Sequence, residues 1–165
     1  MPAVEDPLIQ GLGLLAFLAV TFGAAAIGVR ATTSSVNTWY VSLRKPEWVP
    51  SGRTIGLVWS LLYILMALAA WLVWREAAWG ARDALIFYGV QLGTNAYWSI
   101  LFFGRRNPKA ALECIFLLFL FVLSTLLQFW GLSLVAGLLL VPYLAWVGFA
   151  SYLNYAVWRQ NPVPA

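Results

Sequence analysis

The chain has no histidine, a single cysteine and few charged residues. Without histidine the most common ligand of metals and haem iron is missing, and neither a Ser-His-Asp nor a Cys-His mechanism is possible. Cys114 has no partner for an intrachain disulfide and is interpreted as a small apolar helix residue. Charged residues make up 10% of the chain, against about 25% in soluble domains. Too few polar groups remain to cover a water-exposed surface, which predicts an integral membrane protein.

Apolar residues make up 62% of the 165 residues, and they form five stretches of membrane-spanning length. A hydrocarbon core of roughly 30 Å needs about 20 predominantly apolar residues in a helix. We therefore predict an all-α integral membrane protein, a five-transmembrane-helix bundle in a single domain over residues 1–165, because helices satisfy their own backbone groups in lipid. The predicted spans are residues 8–29, 54–74, 81–103, 109–130 and 134–157.

Positive charge is concentrated on one side of this predicted bundle. Eight Lys and Arg residues lie in the connection 30–53, around the turn before the fourth span, and in the C-terminal tail, against only Arg75 and Arg82 on the other side. Positive residues favour the cytoplasmic side, so we expect the first loop and the C-terminus in the cytoplasm. The net charge of +4 follows from this asymmetry. It does not indicate nucleic-acid binding, because no compact basic domain is present.

Tryptophan occurs deep inside three predicted spans, at Trp59, Trp98 and Trp146, whereas membrane tryptophans usually gather at the water interfaces. Helical spacing places Gln91 and Asn95 on the same face as Trp98, and amides in hydrocarbon should face inward. The other residues that share these faces are Tyr63 on the second span, Tyr88 and Phe102 on the third, and Tyr143, Ala150 and Asn154 on the fifth. Each face alone is typical of core packing, but three together favour an aromatic cleft for a planar apolar ligand.

Two features each allow two interpretations. Gly89 and Gly93 lie nearly opposite the polar face of the third span, and this spacing permits close helix approach either within the bundle or across a homodimer seam. The connection 30–53 is long and contains Pro46 and Pro50, which prevent one continuous helix. Long structured loops are often binding lids. The alternative is an aromatic anchor at the level of the lipid headgroups.

Motifs along nearly the whole chain resemble the TspO/MBR family, the tryptophan-rich sensory proteins, translocator proteins and peripheral-type benzodiazepine receptors. They are Trp39-Tyr40-x-x-Leu43-x-Lys45-Pro46-x-Trp48-x-Pro50, Val58-Trp59-x-Leu61-Leu62-Tyr63, Gln91-Leu92-x-x-Asn95-x-x-Trp98, Pro142-Tyr143-Leu144-x-Trp146 and Leu153-Asn154-Tyr155-x-Val157-Trp158-Arg159. One departure is Pro50-Ser51, where relatives often have two adjacent prolines.

The resemblance implies a five-helix bundle, commonly a homodimer, that binds protoporphyrin-type tetrapyrroles and, in some members, cholesterol and benzodiazepine-like drugs under the first loop. Positions matching the family's ligand site are Tyr40, Pro46, Trp59, Tyr63, Asn95, Trp146 and Ala150, and the aromatic faces add Trp98 and Tyr143 as candidates. Leu153, Tyr155 and Arg159 match the family's sterol motif. Porphyrin is expected as a ligand, and neither an obligatory cofactor nor a metal is expected.

These observations favour a membrane receptor or sensor for porphyrins that regulates tetrapyrrole metabolism or a stress response. An alternative is light-dependent porphyrin degradation, for which Trp59 and Trp146 match the family's catalytic pair. Another is transport of tetrapyrroles or sterols, although the sequence shows no internal repeat and no charged residue in the middle of a span. No conventional catalytic constellation is present. The expected location is a bacterial membrane, or the mitochondrial outer membrane in a eukaryote.

Overall fold

The computed structural model of the protein describes residues 4–162 and contains six α-helices in that range. They are α1 (Pro7–Thr33), α2 (Trp39–Ser42), α3 (Gly52–Ala77), α4 (Arg82–Ser99), α5 (Pro108–Leu132) and α6 (Leu134–Gln160). A 3-10 turn, Ala78–Ala81, precedes α4, and a π-helical turn, Ile100–Gly104, extends it. The predicted number of five helices is wrong, because the first connection forms the short helix α2. The described residues contain no strand.

Four of the long helices, α1, α3, α5 and α6, are long and apolar enough to cross a membrane. Helix α4 is not among them, so the structure bears out four of the five predicted spans. The 18 residues of α4 begin with Arg82 and Asp83 and include Gln91 and Asn95, which lower its mean hydropathy. The two amides are nevertheless almost fully buried, at 1% and 2% exposure. The polar groups of α4 therefore face the inside of the bundle.

Side-chain caps set the helix boundaries. Asp6 accepts hydrogen bonds from two backbone N–H groups in the first turn of α1, at 2.8 and 3.2 Å. Asn107 caps α5 in the same way, through its side-chain oxygen. Pro108 follows it at the first helical position, where the N–H that proline lacks would have no partner within the helix. Ser133 ends α5 and caps α6. Because one residue joins them, α5 and α6 are antiparallel neighbours. Pro142 lies inside α6 without interrupting it.

The five long helices form a closed ring. Helix α1 contacts α3 and α4, α3 contacts α6, and α5 packs against both α4 and α6. We call the end of the bundle that carries residues 34–51 the lid end. At the opposite end, the indole N–H of Trp71 donates to the carbonyl of Gln10 at 2.9 Å. Gly13 lies so close to the ring of Trp74 that a Cβ would have no room. Helices α1 and α3 are therefore held together at the end away from the lid.

Residues 34–51, which we call the lid, are organised around Lys45. Its ammonium group donates to the carbonyls of Tyr40 and Leu43, at 2.6 and 3.0 Å, and lies 4.8 Å from the centre of the Tyr40 ring. These contacts satisfy carbonyl groups at the end of α2, where a cation is favourable. Burial raises the pKa of the Tyr40 phenol above its usual 10.0. The lid is thus a structured segment.

Two of the contacts that hold the lid involve α6 and Asn161, the residue that follows it. The side-chain amide of Asn161 pairs with both backbone groups of Arg44, accepting from its N–H at 2.9 Å and donating to its carbonyl at 2.8 Å. The indole of Trp48 stacks on the ring of Tyr152, with 5.3 Å between ring centres and 12° between planes. A third contact joins the lid to the turn after α4, where the Ser35 hydroxyl donates to a carbonyl at 2.8 Å.

Candidate ligand cavity

The bundle contains a cavity of about 620 Å³ at its lid end. Helices α1, α3, α4 and α6 form its walls, and Tyr40 contributes from the lid. The wall is mostly apolar, with a few polar atoms from Ser60, Asn95 and Ser99. Pockets of roughly 300–1,000 Å³ with apolar walls and few polar groups are typical of sites for organic ligands. Within the first connection, Val36 and Tyr40 line this cavity.

Trp59 is the centre of an aromatic cluster on the cavity wall. Its ring stacks on Tyr63, with 5.7 Å between centres and 28° between planes. The rings of Trp98 and Trp146 both lie 6.4 Å from it, and Trp146 is nearly perpendicular at 88°. These distances and angles are those of attractive aromatic pairs. Indoles from three helices thus form one continuous aromatic wall.

The indole N–H groups of this cluster differ in their partners. The N–H of Trp98 donates to the side-chain oxygen of Asn154 at 3.0 Å. The N–H of Trp146 is buried, and it has no hydrogen-bond acceptor among residues 4–162. Leaving a buried donor without a partner costs about 1–3 kcal/mol. Because this nitrogen has almost no accessible surface, it is covered by protein atoms, and Trp146 presents its ring and not its N–H to the cavity.

A chain of buried hydrogen bonds supports the wall from behind. The hydroxyl of Tyr63 donates to Asn95 Oδ1 at 3.1 Å, and Asn95 Nδ2 donates to the hydroxyl of Tyr143 at 2.9 Å. The Tyr143 hydroxyl in turn donates to Gln91 Oε1 at 2.8 Å. Both amides are thereby paired, as their burial requires. The chain joins α3, α4 and α6 and fixes the position of the Tyr63 ring on the wall.

The structure brings seven of the nine predicted ligand-binding residues to the cavity wall: Tyr40, Trp59, Tyr63, Asn95, Trp98, Trp146 and Ala150. The other two do not line it. Tyr143 is fully buried behind the wall, and its role is to hold Asn95. Pro46 lies in the lid, half-buried and away from the cavity.

The three residues of the predicted sterol motif do not share one surface. Leu153 lines the cavity. Tyr155 and Arg159 are exposed on the outside of α6, where the Tyr155 ring lies 6.0 Å from that of Trp158. Because two positions along a helix are separated by about 200°, a molecule on the outer face that contacts Tyr155 cannot also contact Leu153.

Gly89 and Gly93 are exposed on the outer face of α4. In the described part of the chain, no atom outside α4 lies within 4 Å of the position that a Cβ would take at either glycine. These glycines therefore do not bring a second helix of the same bundle close. The structure therefore contradicts the interpretation that the spacing of these glycines serves helix packing within the bundle.

Helix α1 contributes a wall that the sequence patterns did not predict. Its cavity-lining residues include Phe22, Ala25, Ala26 and Val29. Apolar residues surround α1 on every side, so no periodic pattern marks the face that lines the cavity. The one sequence feature that could indicate this face is the presence of small residues near the lid end, such as Gly28, which packs against Ser99. Within residues 4–162, no group of three or more His, Cys, Asp and Glu residues is arranged to hold a metal ion.

The sequence of the chain is similar to those of known proteins. The model of the TspO/MBR family matches residues 16–159. The tryptophan-rich protein TspO of Archaeoglobus fulgidus is 38% identical over 148 residues, which cover 90% of this chain and 94% of that protein. The tryptophan-rich sensory protein of Cereibacter sphaeroides is 40% identical, over 83% of this chain and 87% of that protein.

The similarity extends to animals. The human translocator protein is 36% identical over 138 residues, which cover 82% of each chain. The family match covers most of the chain, including the lid, the aromatic wall and the end of α6. Together with the apolar helices, it identifies this chain as an integral membrane protein that belongs to the TspO/MBR family.

Proposed function

We propose that the protein is a membrane receptor that binds porphyrins in the cavity under the lid. The observation that carries this proposal is the mostly apolar cavity of about 620 Å³, whose wall joins the rings of Trp59, Trp98 and Trp146. A planar apolar macrocycle suits this wall, because its faces can stack on the indoles. Apolar contact contributes about 25 cal/mol per Å² of area removed from water.

The hydrogen bonds limit which groups can hold the propionates of a porphyrin. Both polar atoms of the Asn95 amide are already paired, and the ammonium of Lys45 donates to lid carbonyls. The Tyr40 and Ser99 side chains on the wall and the guanidinium of Arg44 remain as donors. We therefore expect the carboxylates to lie toward the lid, where the positive charges of the chain are concentrated.

We further propose that α4 crosses the membrane with the other four long helices. With its π-helical turn, α4 extends from Arg82 to Gly104, and its amides face the bundle interior. The excess of Lys and Arg at the lid end supports a cytoplasmic lid and C-terminus. The free face at Gly89 and Gly93 supports a homodimer that packs through α4. An intermolecular cross-link between cysteines placed at residue 93 would test the seam.

Titration tests the receptor proposal. Purified protein is titrated with protoporphyrin, haem and cholesterol in one assay while tryptophan fluorescence is recorded. Trp146→Phe replaces the indole by a smaller ring, and we expect it to weaken protoporphyrin binding by about 2- to 10-fold through lost stacking area. Trp130→Phe is the control, because Trp130 is 44% exposed and does not line the cavity. Unchanged binding by protein with both Trp59→Ala and Trp146→Ala would refute the site.

Light-dependent breakdown of the bound porphyrin is a second candidate function. It is favoured by two indoles, Trp59 and Trp146, that lie 6.4 Å apart on the same wall. An excited macrocycle in contact with them would accept one electron from an indole. Illumination of the complex tests this, because loss of the porphyrin absorption should slow when Phe replaces both tryptophans. An equal rate in that variant would leave binding as the function.

A further inference from the structure

We propose that the ligand enters the cavity from the bilayer, through a gap between the lid-end halves of α1 and α3, and not from water beneath the lid. This inference rests on the proposed function, because it concerns the route to the same cavity. It also defines the class of ligand: a planar molecule that dissolves in the hydrocarbon region and reaches the protein laterally.

Contacts between α1 and α3 are concentrated away from the lid. Gln10 and Gly13 of α1 meet the indoles of α3 at the far end, and in the middle of the bundle the rings of Phe22 and Tyr63 lie 6.1 Å apart. Beyond that point toward the lid, residues of both helices line the cavity, among them Ala26 and Gly56. The cavity thus occupies the space between the two helices there.

Small residues form the edges of this gap. Ala26 on α1 and Gly52, Gly56 and Ser60 on α3 line the cavity and are exposed. Because these side chains are small, they fill little of the space between the two helices. Among the described residues, no atom outside α3 lies within 4 Å of a Cβ built at Gly56. The edge of the gap at Gly56 is therefore not blocked by another side chain.

The surface beside the gap is apolar up to its lid end, where Arg30 and Arg53 are exposed. Ile27 on α1 is 53% exposed, and Leu57 and Leu61 on α3 are 65% and 56% exposed. Exposed aliphatic side chains on both sides of the gap are suited to lipid tails and not to water. The opening consequently faces the hydrocarbon region, where an apolar ligand is concentrated.

The route beneath the lid is obstructed by specific contacts. Opening it would break both hydrogen bonds between Asn161 and the backbone of Arg44, and it would separate the Trp48 and Tyr152 rings. Entry through the gap between α1 and α3 breaks none of these contacts. A substitution in the gap should therefore change the rate of entry more than a substitution that frees the lid.

Kinetics in lipid nanodiscs test the route, with protoporphyrin as the probe and tryptophan quenching as the signal. Gly56→Leu fills the gap, and Gly23→Leu is the matched control, because Gly23 is an exposed, uncrowded helical glycine that does not line the cavity. We expect Gly56→Leu to slow association at least about tenfold, since entry then requires the helices to separate. Because residue 56 also lines the cavity, the association rate and not the affinity is the readout. Gly23→Leu should leave the association rate unchanged. Asn161→Ala, which frees the lid, should not accelerate association.

Two results would overturn the route. They are an unchanged association rate in Gly56→Leu and faster association in Asn161→Ala. An Ala26→Leu variant repeats the measurement from the other edge of the gap, and a normal rate there also counts against the route. Absence of equilibrium quenching in the wild-type protein is a different outcome. It would refute the proposed function and the entry route together.

Discussion

Replacing Tyr143 by phenylalanine removes a single oxygen atom that joins two buried amides. That hydroxyl accepts from Asn95 at 2.9 Å and donates to Gln91 at 2.8 Å. All three residues are at most 2% exposed, so water cannot take its place. A stranded buried group costs about 1–3 kcal/mol in proteins generally, whereas polar pairs between membrane helices average about 0.6 kcal/mol. For two stranded groups we expect a loss of about 1–3 kcal/mol in the free energy of unfolding.

Reversible unfolding with SDS in mixed micelles measures this loss. Tyr97→Phe is the control, because Tyr97 lies on the outer face of α4 and is 46% exposed. Since Tyr143 does not line the cavity, its substitution should change protoporphyrin affinity less than Trp146→Phe does. A Tyr143→Phe protein as stable as the Tyr97→Phe protein would show that the hydrogen-bond chain contributes nothing, and the argument from buried amides would fail.

Three further predictions concern backbone strain, close packing and titration. Ala78 has φ 44° and ψ −118°, a conformation that favours glycine. Ala78→Gly should therefore raise the free energy of unfolding by about 1 kcal/mol. A free energy of unfolding below that of the wild type would contradict the strain. A Cβ at Gly137 would lie 2.8 Å from the backbone of Trp130. Gly137→Ala should therefore destabilise by about 1–3 kcal/mol in the same assay, unlike Gly131→Ala at an open position. Burial raises the pKa of Tyr40 in the folded protein above 10.0. The stabilisation from its neutral phenol is therefore present below pH 10 and is lost as the pH rises toward this raised pKa. Phenolate absorbance, compared between wild type and Tyr40→Phe, should show one phenol that titrates late.

Helical spacing predicted the inward face of α4 because that face is chemically distinct. Gln91, Asn95 and Trp98 recur at three- and four-residue intervals, and amides have one low-energy direction in a bundle surrounded by lipid. Their burial follows from the sequence alone. The same argument identified Trp59 and Trp146. These large rings lie on the faces of α3 and α6 that turn toward the interior of the bundle, where the helices meet.

Other parts of the site carry no such signal. Every side of α1 is equally apolar, so its contribution at Phe22 and Val29 depends on how the helix is rotated against its neighbours. Helix α2 is four residues long, too short to form from local propensity, and it depends on the contacts of Lys45. The sequence also places Tyr63 and Tyr143 in equivalent positions. Only the packing of α6 behind α3 decides that Tyr63 lies on the wall and Tyr143 behind it.

The pairing of Asn161 with Arg44 links positions that are 117 residues apart in the chain. During synthesis, residue 44 emerges long before the last helix exists, so this contact at the roof of the cavity forms only when the whole polypeptide has been made. The seating of residues 34–51 against the end of α6 is therefore a property of the finished molecule alone. Deletions that end before residue 161 should leave this segment more open to protease than it is in the full-length protein.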